Sequence, residues 1–434
     1  MVDVVTVKIW GEVVGAVRWD ATQQLAFFEY EPNFISKGWN LSPLKMPIGN
    51  GARIYSFPEL RKVKDAVADT FRGLPGLLSD SLPDKYGNQL MNVWLTQQGR
   101  PENSMNPVEQ LCFIGSRGMG ALEFEPSEFK QTKRTTTLEI SNLVDIAQRM
   151  LNHREQFQTE LHKDEAKAVA EILKISTSAG GARPKALIAY NPQSGVVKSG
   201  QGLVPVGFEH WLIKLDGVSD AQFGESSNWG NVEYAYYLMA KACGIEMTEC
   251  KLLQENGRAH FMTRRFDRED NNTKHHIQTL CAMQHYNFNE MFTYSYEQLF
   301  QTMRLLRMSY PEAIQMFRRM IFNVLATNCD DHTKNFSFRM KKDDRWELAP
   351  AYDICFAYVP GNVWVNQQTM SVNGKRKNIT KEDFMAIAKA NNFKKGEEII
   401  DEINQTVRNW LTFASTAGVN ERRSIQVQNN LHTI

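Results

Sequence analysis

The chain is poor in cysteine: six of its 434 residues, at positions 112, 243, 250, 281, 329 and 355, with no Cys-x-x-Cys pair and no histidine at finger spacing. That scatter excludes a zinc-finger module and a disulfide framework, and it fits a set of reduced thiols. A basic stretch followed by an apolar run is missing from the first residues, and no segment reaches the roughly 18 consecutive apolar residues of a membrane span. The expectation is a cytoplasmic protein with no membrane partner. Charge of one sign is lacking too, since 50 Lys and Arg stand against 49 Asp and Glu, a formal net charge of +1. This excludes the chain-wide basic field of a typical nucleic-acid binder, so any DNA contact must be local or supplied by a partner. There is no internal repeat and no G-x-x-x-x-G-K-[ST] phosphate loop, and Gly115, Gly118 and Gly120 are out of G-x-G-x-x-G order and read as a turn.

What is present is an ordinary globular composition, 42% hydrophobic, 23% charged and 11% aromatic, in a length that predicts roughly two to four domains. The front is β-rich. Residues 4–10 and 13–19 are β-branched runs separated by Gly11-Glu12, a hairpin signal, and residues 25–30 continue the pattern with aromatics. Residues 85–97 have helical spacing, and residues 126–137 (PSEFKQTKRTTT) read as an exposed connection. Beyond it, residues 163–175 have helix composition, residues 176–185 (STSAGGARPK) form a small-residue loop, and residues 186–190 and 209–215 read as strands, the first closed by the turn signal at 191–195. The back half turns helical. Residues 231–243 end at Gly244, and residues 311–327 open with proline and carry Ile314, Phe317, Ile321 and Val324 on one face. Thr380 with Asp383 is a capping-box signal, and residues 397–413 predict one last long helix. The fold class is α+β, with a β-rich N-terminal region (1–130), a small mixed lobe (131–266) and a helical C-terminal lobe (267–434).

Residues 327–338 (TNCDDHTKNFSF) carry the clearest chemistry. Asp330 and Asn335 are five positions apart, and Asp353 follows Asn335 by eighteen. In phosphoryl transfer one carboxylate orients the attacking hydroxyl and takes its proton, while an amide oxygen and a second carboxylate hold a divalent ion against the phosphates. Asp and Asn are also common in loops for turn reasons, so the interval needs partners upstream. Lys214 lies in the apolar strand-like run 210–215 (HWLIKL), a setting that holds a lysine with a partner or a phosphate, the alternative being a solvated edge lysine. Glu233 is a candidate ion-pair partner for it, the alternative being a first-turn surface glutamate. In the loop before that strand, Ser178, Ala179, Gly180, Gly181 and Ala182 are small enough for backbone N–H groups to approach a phosphate, with Arg183 and Lys185 adding charge; a flexible hairpin tip is the alternative. Other polar clusters read as solvated: His275-His276 as an exposed loop, Lys375-Arg376-Lys377 as a hairpin tip, and Asp331 as a surface carboxylate rather than a further metal ligand.

Residues 178–188 (SAGGARPKALI), 210–215, 231–238 (NVEYAYYL), 265–268 (RFDR), 330–337 (DDHTKNFS) and 352–354 (YDI), with 41–47 (LSPLKMP) and 114–121 (IGSRGMGA) at the front, resemble the HipA family. These are bacterial Ser/Thr kinases that serve as the toxins of HipBA toxin–antitoxin modules. The resemblance implies a two-lobed kinase-like fold that uses ATP and Mg²⁺. It makes Asp330 the catalytic base, Asn335 and Asp353 the Mg²⁺ ligands, and Lys214 the phosphate-contacting lysine. Ser178 to Ala182 would cover the phosphates, and Met262, Arg264 and Phe266 would form the adenine hinge, Arg264 standing where an acidic residue is expected. His332 and Lys334 join the nucleotide-binding set, His332 as a hydrogen-bonding residue of the catalytic loop. Asp331 stands where glycine is common. The resemblance also makes Ser178 an autophosphorylation site, whose phosphate would repel the nucleotide and switch the enzyme off. The implied partners are a HipB-like helix-turn-helix antitoxin, operator DNA mainly through that antitoxin, and a protein substrate of the translation apparatus such as an aminoacyl-tRNA synthetase. A small-molecule or lipid kinase and a catalytically silent co-repressor remain the alternative readings.

Overall fold

Alternating β-branched residues build the first sheet. In the computed structural model, which describes residues 2–49, 51, 53–61, 69–128, 137–152, 184–218 and 228–434, β1 (Val4–Ile9) and β2 (Glu12–Asp20) join through Trp10 and Gly11, both at positive φ. β3 (Leu25–Tyr30), β4 (Ile54–Tyr55) and β5 (Leu122–Glu125) complete an antiparallel sheet in the order β4-β3-β2-β1-β5. Val5, Val7, Ile9, Val17 and Phe28 are fully buried, the period-two face expected of a half-buried sheet. Val7 pairs with Gly15 but Lys8 with Val13, so Val14 is the extra residue of a bulge. Glycine is required beside it, because a Cβ on Gly15 would stand 2.0 Å from the Glu29 carbonyl oxygen.

A second antiparallel sheet contains β6 (Lys185–Tyr190), β7 (Val197–Ser199), β8 (Glu209–Lys214), β9 (Cys250–Glu255) and β10 (Arg258–Arg264), in the order β7-β6-β8-β10-β9. The turn expected after β6 is an Asx turn in which Asn191 Oδ1 accepts from the amides of Gln193 and Ser194, both at 2.9 Å. The chain divides into two compact units, one of Met1–Ser227, Leu253–Gln278 and Met340–Asp344, the other of Asn228–Leu252, Thr279–Arg339 and Arg345–Ile434. Both sheets fall mainly in the first unit, so the division at 130 stands as a finer proposal within it. The helix proposed at 163–175 lies outside the described residues.

In the first unit the glycines at 118 and 120 serve a buried charge cluster. Asp267, fully buried, accepts from Arg265 at 2.9 and 2.6 Å, from Arg268 at 2.7 Å and from the Gly120 amide at 2.8 Å. Arg268 in turn donates to the carbonyls of Gly118 and Gly120 at 2.9 and 2.7 Å. Burial alone would raise the Asp267 pKa, yet the two guanidiniums hold it well below the carboxylate range. Two sequence expectations are corrected nearby. His275 and His276 are not an exposed loop but are 5% and 1% exposed, because the polar run before them folds back, with the His275 amide donating to the Asp267 carbonyl at 3.0 Å. Desolvation pushes the His276 pKa down to about 4, so the ring is neutral. Lys185 adds no charge to a surface loop; it opens β6, 3% exposed, with Nζ 3.2 Å from Oδ2 of Asp84, the N-cap of the Lys85–Gln97 helix.

The second unit is helical. The Trp229–Ala242 helix closes at Gly244 (φ 69°), and the Tyr310–Leu325 helix opens on a Ser309–Glu312 capping box with Pro311 in its first turn. The Thr380–Asp383 capping box precedes the Lys381–Ala390 helix as expected. As expected of a hairpin tip, Val372 and Lys375 pair across the Asn373-Gly374 turn and Lys375 and Lys377 are exposed, while Asp383 holds Lys375 at 2.9 Å and Arg376 donates to the Tyr294 carbonyl at 3.1 Å. The long helix expected at 397–413 is two, Gly396–Arg408 and Trp410–Thr416, broken at Asn409 (ψ 19°). The break accompanies burial of Trp410, whose ring lies 5.4 Å from that of Tyr236 and whose Nε1 donates to the Ser424 carbonyl at 3.0 Å. No disulfide joins the six cysteines, and among the described residues no helix is long and apolar enough to cross a membrane. The architecture is α+β.

Replacing Asp267 by Asn leaves two buried guanidiniums without their carboxylate, and it is expected to destabilise the protein by about 3–5 kcal/mol. Urea denaturation checks this; a loss under ~1 kcal/mol would show that the cluster is not an anchor.

Candidate active site

The site in the second unit begins where the Tyr310–Leu325 helix ends. Thr327 takes a left-handed conformation (φ 53°), and the Asn328 amide reaches back to the Asn323 carbonyl at 2.8 Å, a helix stop usually made with glycine. The next residues form a tight loop closed by a 3₁₀ turn, Thr333–Asn335. The Asn335 amide N–H donates to the His332 carbonyl at 2.9 Å, and its side-chain Nδ2 donates to the Asp330 carbonyl at 2.7 Å. The five-residue interval seen in the sequence is therefore the span over which Asn335 closes back on Asp330. The Tyr352 hydroxyl donates to the Lys334 carbonyl at 2.6 Å, fastening the loop to the segment that carries Asp353.

Within this frame the Asp330 side chain is 45% exposed, with one oxygen 3.8 Å from Nε2 of His332. The His332 ring lies 5.2 Å from that of Phe288, and Lys334 Nζ sits 4.8 Å over the same ring, so one aromatic steadies both. Asp353 is held at φ 53°, a conformation that costs energy for a non-glycine residue and persists where the surroundings impose it. Asn335, Asp353, Asp331 and Arg319 line one small cleft. Among the described residues no group of three or more His, Cys, Asp or Glu side chains could hold a metal. One amide and one carboxylate nevertheless match Mg²⁺, which takes few protein oxygens and fills its shell with water and phosphate.

The first unit carries Lys214, Met262, Arg264 and Phe266. Lys214 ends β8, and on the neighbouring β10 Phe261 pairs with Lys214, Met262 with Ile213 and Arg264 with Trp211. Lys214 Nζ lies 5.8 Å from the centre of the Phe261 ring. Met262 is 1% exposed, Phe266 is half-buried, and the Arg264 guanidinium is held by Asp270 at 2.9 and 2.7 Å, with Glu209 at 3.5 Å. Arg264 thus comes with its own acidic partners. Glu233 is buried on the Trp229–Ala242 helix of the second unit. Ser178, Ala179, Gly180, Gly181, Ala182 and Arg183 lie outside the described residues.

Asp331 corrects the sequence reading: it is not solvated but 1% exposed. It accepts from the Tyr296 hydroxyl at 2.8 Å and from the Thr369 amide at 2.7 Å. Desolvation pushes its pKa up to about 7, with these hydrogen bonds opposing the shift. Arg319 and Asn323 went unnoticed in the sequence, although polar residues at i and i+4 within a helix end apolar but for Arg318 were a readable signal. Arg319 is 3% exposed, donates to the Ala349 carbonyl at 2.8 Å, and lines the cleft with Asn323.

With the fold and the loop described, the class follows from two matches. The HipA N-terminal domain model matches residues 5–125, and the HipA-like C-terminal domain model matches residues 177–411, more than half of the chain. The chain belongs to the HipA family. The HipA of Shewanella oneidensis MR-1, solved with HipB and its operator DNA, matches over 98% of this chain and 94% of its own length, at 16% identity and a TM-score of 0.66. That likeness establishes the shared fold. The Helicobacter pylori proinflammatory kinase CtkA matches over 57% of this chain and 94% of its own, at 13% identity and a TM-score of only 0.33. No curated protein sequence matches significantly.

The Asp331 shift has a sign that can be tested. Its folded pKa of about 7 lies above the unfolded value of 3.8, so between those values the folded protein keeps a proton that the unfolded chain releases. Stability from this group is present at low pH and is lost as pH rises through about 7. Asp331→Asn abolishes that titration. The unfolding free energy of the variant relative to wild type should therefore rise between pH 5 and pH 8, by on the order of 1–3 kcal/mol. A difference independent of pH in urea denaturation would contradict it.

Proposed function

We propose that this HipA-family chain is an ATP- and Mg²⁺-dependent protein serine/threonine kinase, the toxin of a HipBA-type module. The observation that supports this most is the closure of Asn335 on the Asp330 carbonyl, which leaves the Asp330 carboxylate half-exposed and sets Asn335 at the same cleft as Asp353. Asp330 orients the acceptor hydroxyl and receives its proton as the oxygen attacks the terminal phosphoryl group and the bond to the bridging oxygen breaks, releasing ADP. Asn335, whose Nδ2 is occupied by the Asp330 carbonyl, offers its amide oxygen, and Asp353 its carboxylate, to Mg²⁺, which when bound neutralises charge on the phosphates. By the family resemblance, Lys214 is the phosphate-contacting lysine, residues 178–182 are the phosphate-covering loop, and Met262, Arg264 and Phe266 are the adenine hinge. His332 and Lys334 hold the loop around the nucleotide.

Ser178 is the enzyme's own target in this reading, and its phosphorylation turns the enzyme off. The near-zero net charge suits a division of labour in which a HipB-like helix-turn-helix antitoxin makes most contacts to operator DNA and the kinase acts as co-repressor. The cellular substrate in this reading is a translation protein, such as an aminoacyl-tRNA synthetase, in the cytoplasm.

Incubation with Mg²⁺-ATP followed by intact and peptide mass spectrometry should give phosphate on Ser178, and Asp330→Asn should slow its appearance by roughly 10²–10⁴-fold. Phosphate in neither protein despite ATP binding would point to a small-molecule acceptor, and no ATP binding to a silent co-repressor. Asp353→Ala should lose Mg²⁺-dependent nucleotide binding in calorimetry; unchanged binding would remove Asp353 from the metal site.

A further inference from the structure

Two adjacent carboxylates in the loop have opposite environments: Asp330 is half-exposed and Asp331 is 1% exposed. The buried one is not idle. Its Oδ2 accepts the Tyr296 hydroxyl at 2.8 Å, and its Oδ1 accepts two successive backbone amides, Thr369 at 2.7 Å and Met370 at 3.4 Å. Successive amides converging on one oxygen make an anion-binding nest, here filled by a side chain of the protein itself. The same segment returns a bond, since Thr369 Oγ1 donates to the Cys329 carbonyl at 2.9 Å. Both neighbours of Asp330 are thus tied to residues 369–370, one through its main chain and one through its carboxylate.

The far side of Asp331 is equally fixed. The Tyr296 hydroxyl accepts from Asn323 Nδ2 at 3.0 Å, and Asn323 Oδ1 accepts from Asn328 Nδ2 at 3.0 Å. Gln368 Nε2 donates to the Asn323 carbonyl at 3.3 Å, closing a network that runs from the Tyr310–Leu325 helix to the segment at 368–370. A carboxyl group suits the middle of this network because its two oxygens can receive the three donors that meet them. Without it, two backbone amides and a phenol would be buried with no acceptor.

We infer that Asp331 is a positioning residue, whose buried carboxyl group clamps the Thr369–Met370 main chain and the Tyr296 hydroxyl so that the adjacent Asp330 is held half-exposed on its loop. The inference rests on the reading of Asp330 as the proton acceptor, but the clamp itself can be tested without it. Asp331→Ala, Asp331→Asn and Tyr296→Phe are made in the full chain, and thermal unfolding first establishes that each folds. Hydrogen-exchange mass spectrometry then follows residues 329–336 and 366–372, and autophosphorylation gives kcat and KM for ATP.

Asp331→Ala should speed exchange in both segments at least tenfold and lower kcat at least tenfold, with KM for ATP within about twofold. Asp331→Asn, which keeps an acceptor for the Thr369 amide, should recover most of both losses, and Tyr296→Phe should fall between. Unchanged exchange in Asp331→Ala, or a kcat that does not move when exchange does, would overturn the inference. If Asp331→Ala does not fold, Tyr296→Phe decides, and wild-type exchange at 329–336 in that variant overturns it. If the wild type transfers no phosphate, the kinase reading fails while the exchange data still decide the clamp.

Discussion

The side-chain amide of Asn335 closing on the carbonyl of Asp330 is the constraint from which the candidate site follows. A loop this short after a helix has many conformations, and one internal hydrogen bond with a 3₁₀ turn selects among them. Once it is closed, the positions of Asp330, His332 and Lys334 are no longer independent. The Tyr352 hydroxyl on the Lys334 carbonyl extends the constraint to the segment carrying Asp353. A helix that stops abruptly at Thr327 is what makes the loop possible at that place. The geometry of the candidate site therefore rests on hydrogen bonds to main-chain carbonyls as well as on its carboxylates.

Electrostatics divide the buried acids by what surrounds them. Asp267 and Asp331 are both removed from water, yet Asp267 is flanked by two guanidiniums and stays ionised, while Asp331 meets only neutral donors within hydrogen-bonding distance and is pushed up to about 7. Burial is common to both; the partner decides the charge. Asp267 holds the glycine turn at 118–120 in the first unit, and Asp331 holds the loop in the second.

Much of this was legible in the sequence where local signals are strong. The front hairpin, the turn after β6, the Gly244 stop and the Thr380–Asp383 capping box each rest on a few neighbouring residues, and each forms as expected. The Asp330–Asn335 interval was legible for the same reason. What was missed depends on residues far apart in the chain. Asp331 looks like a surface residue until Tyr296 and Thr369 are brought to it, and His276 looks solvated until it meets the Leu41 carbonyl at 3.3 Å. Lys185 belonged to a loop by composition, and its ion pair with Asp84 spans a hundred residues. The break at Asn409 is likewise tertiary, set by the burial of Trp410 rather than by helix propensity.

The central claim, that the Asp330 loop and Asp353 form a Mg²⁺-nucleotide site, is tested most directly by a crystal structure with Mg²⁺ and a non-hydrolysable ATP analogue. The account predicts Mg²⁺ bound by the Asn335 amide oxygen and an Asp353 carboxylate oxygen at about 2.1 Å, with the terminal phosphate next to Asp330. Nucleotide bound elsewhere, or Mg²⁺ touching neither residue, would contradict it.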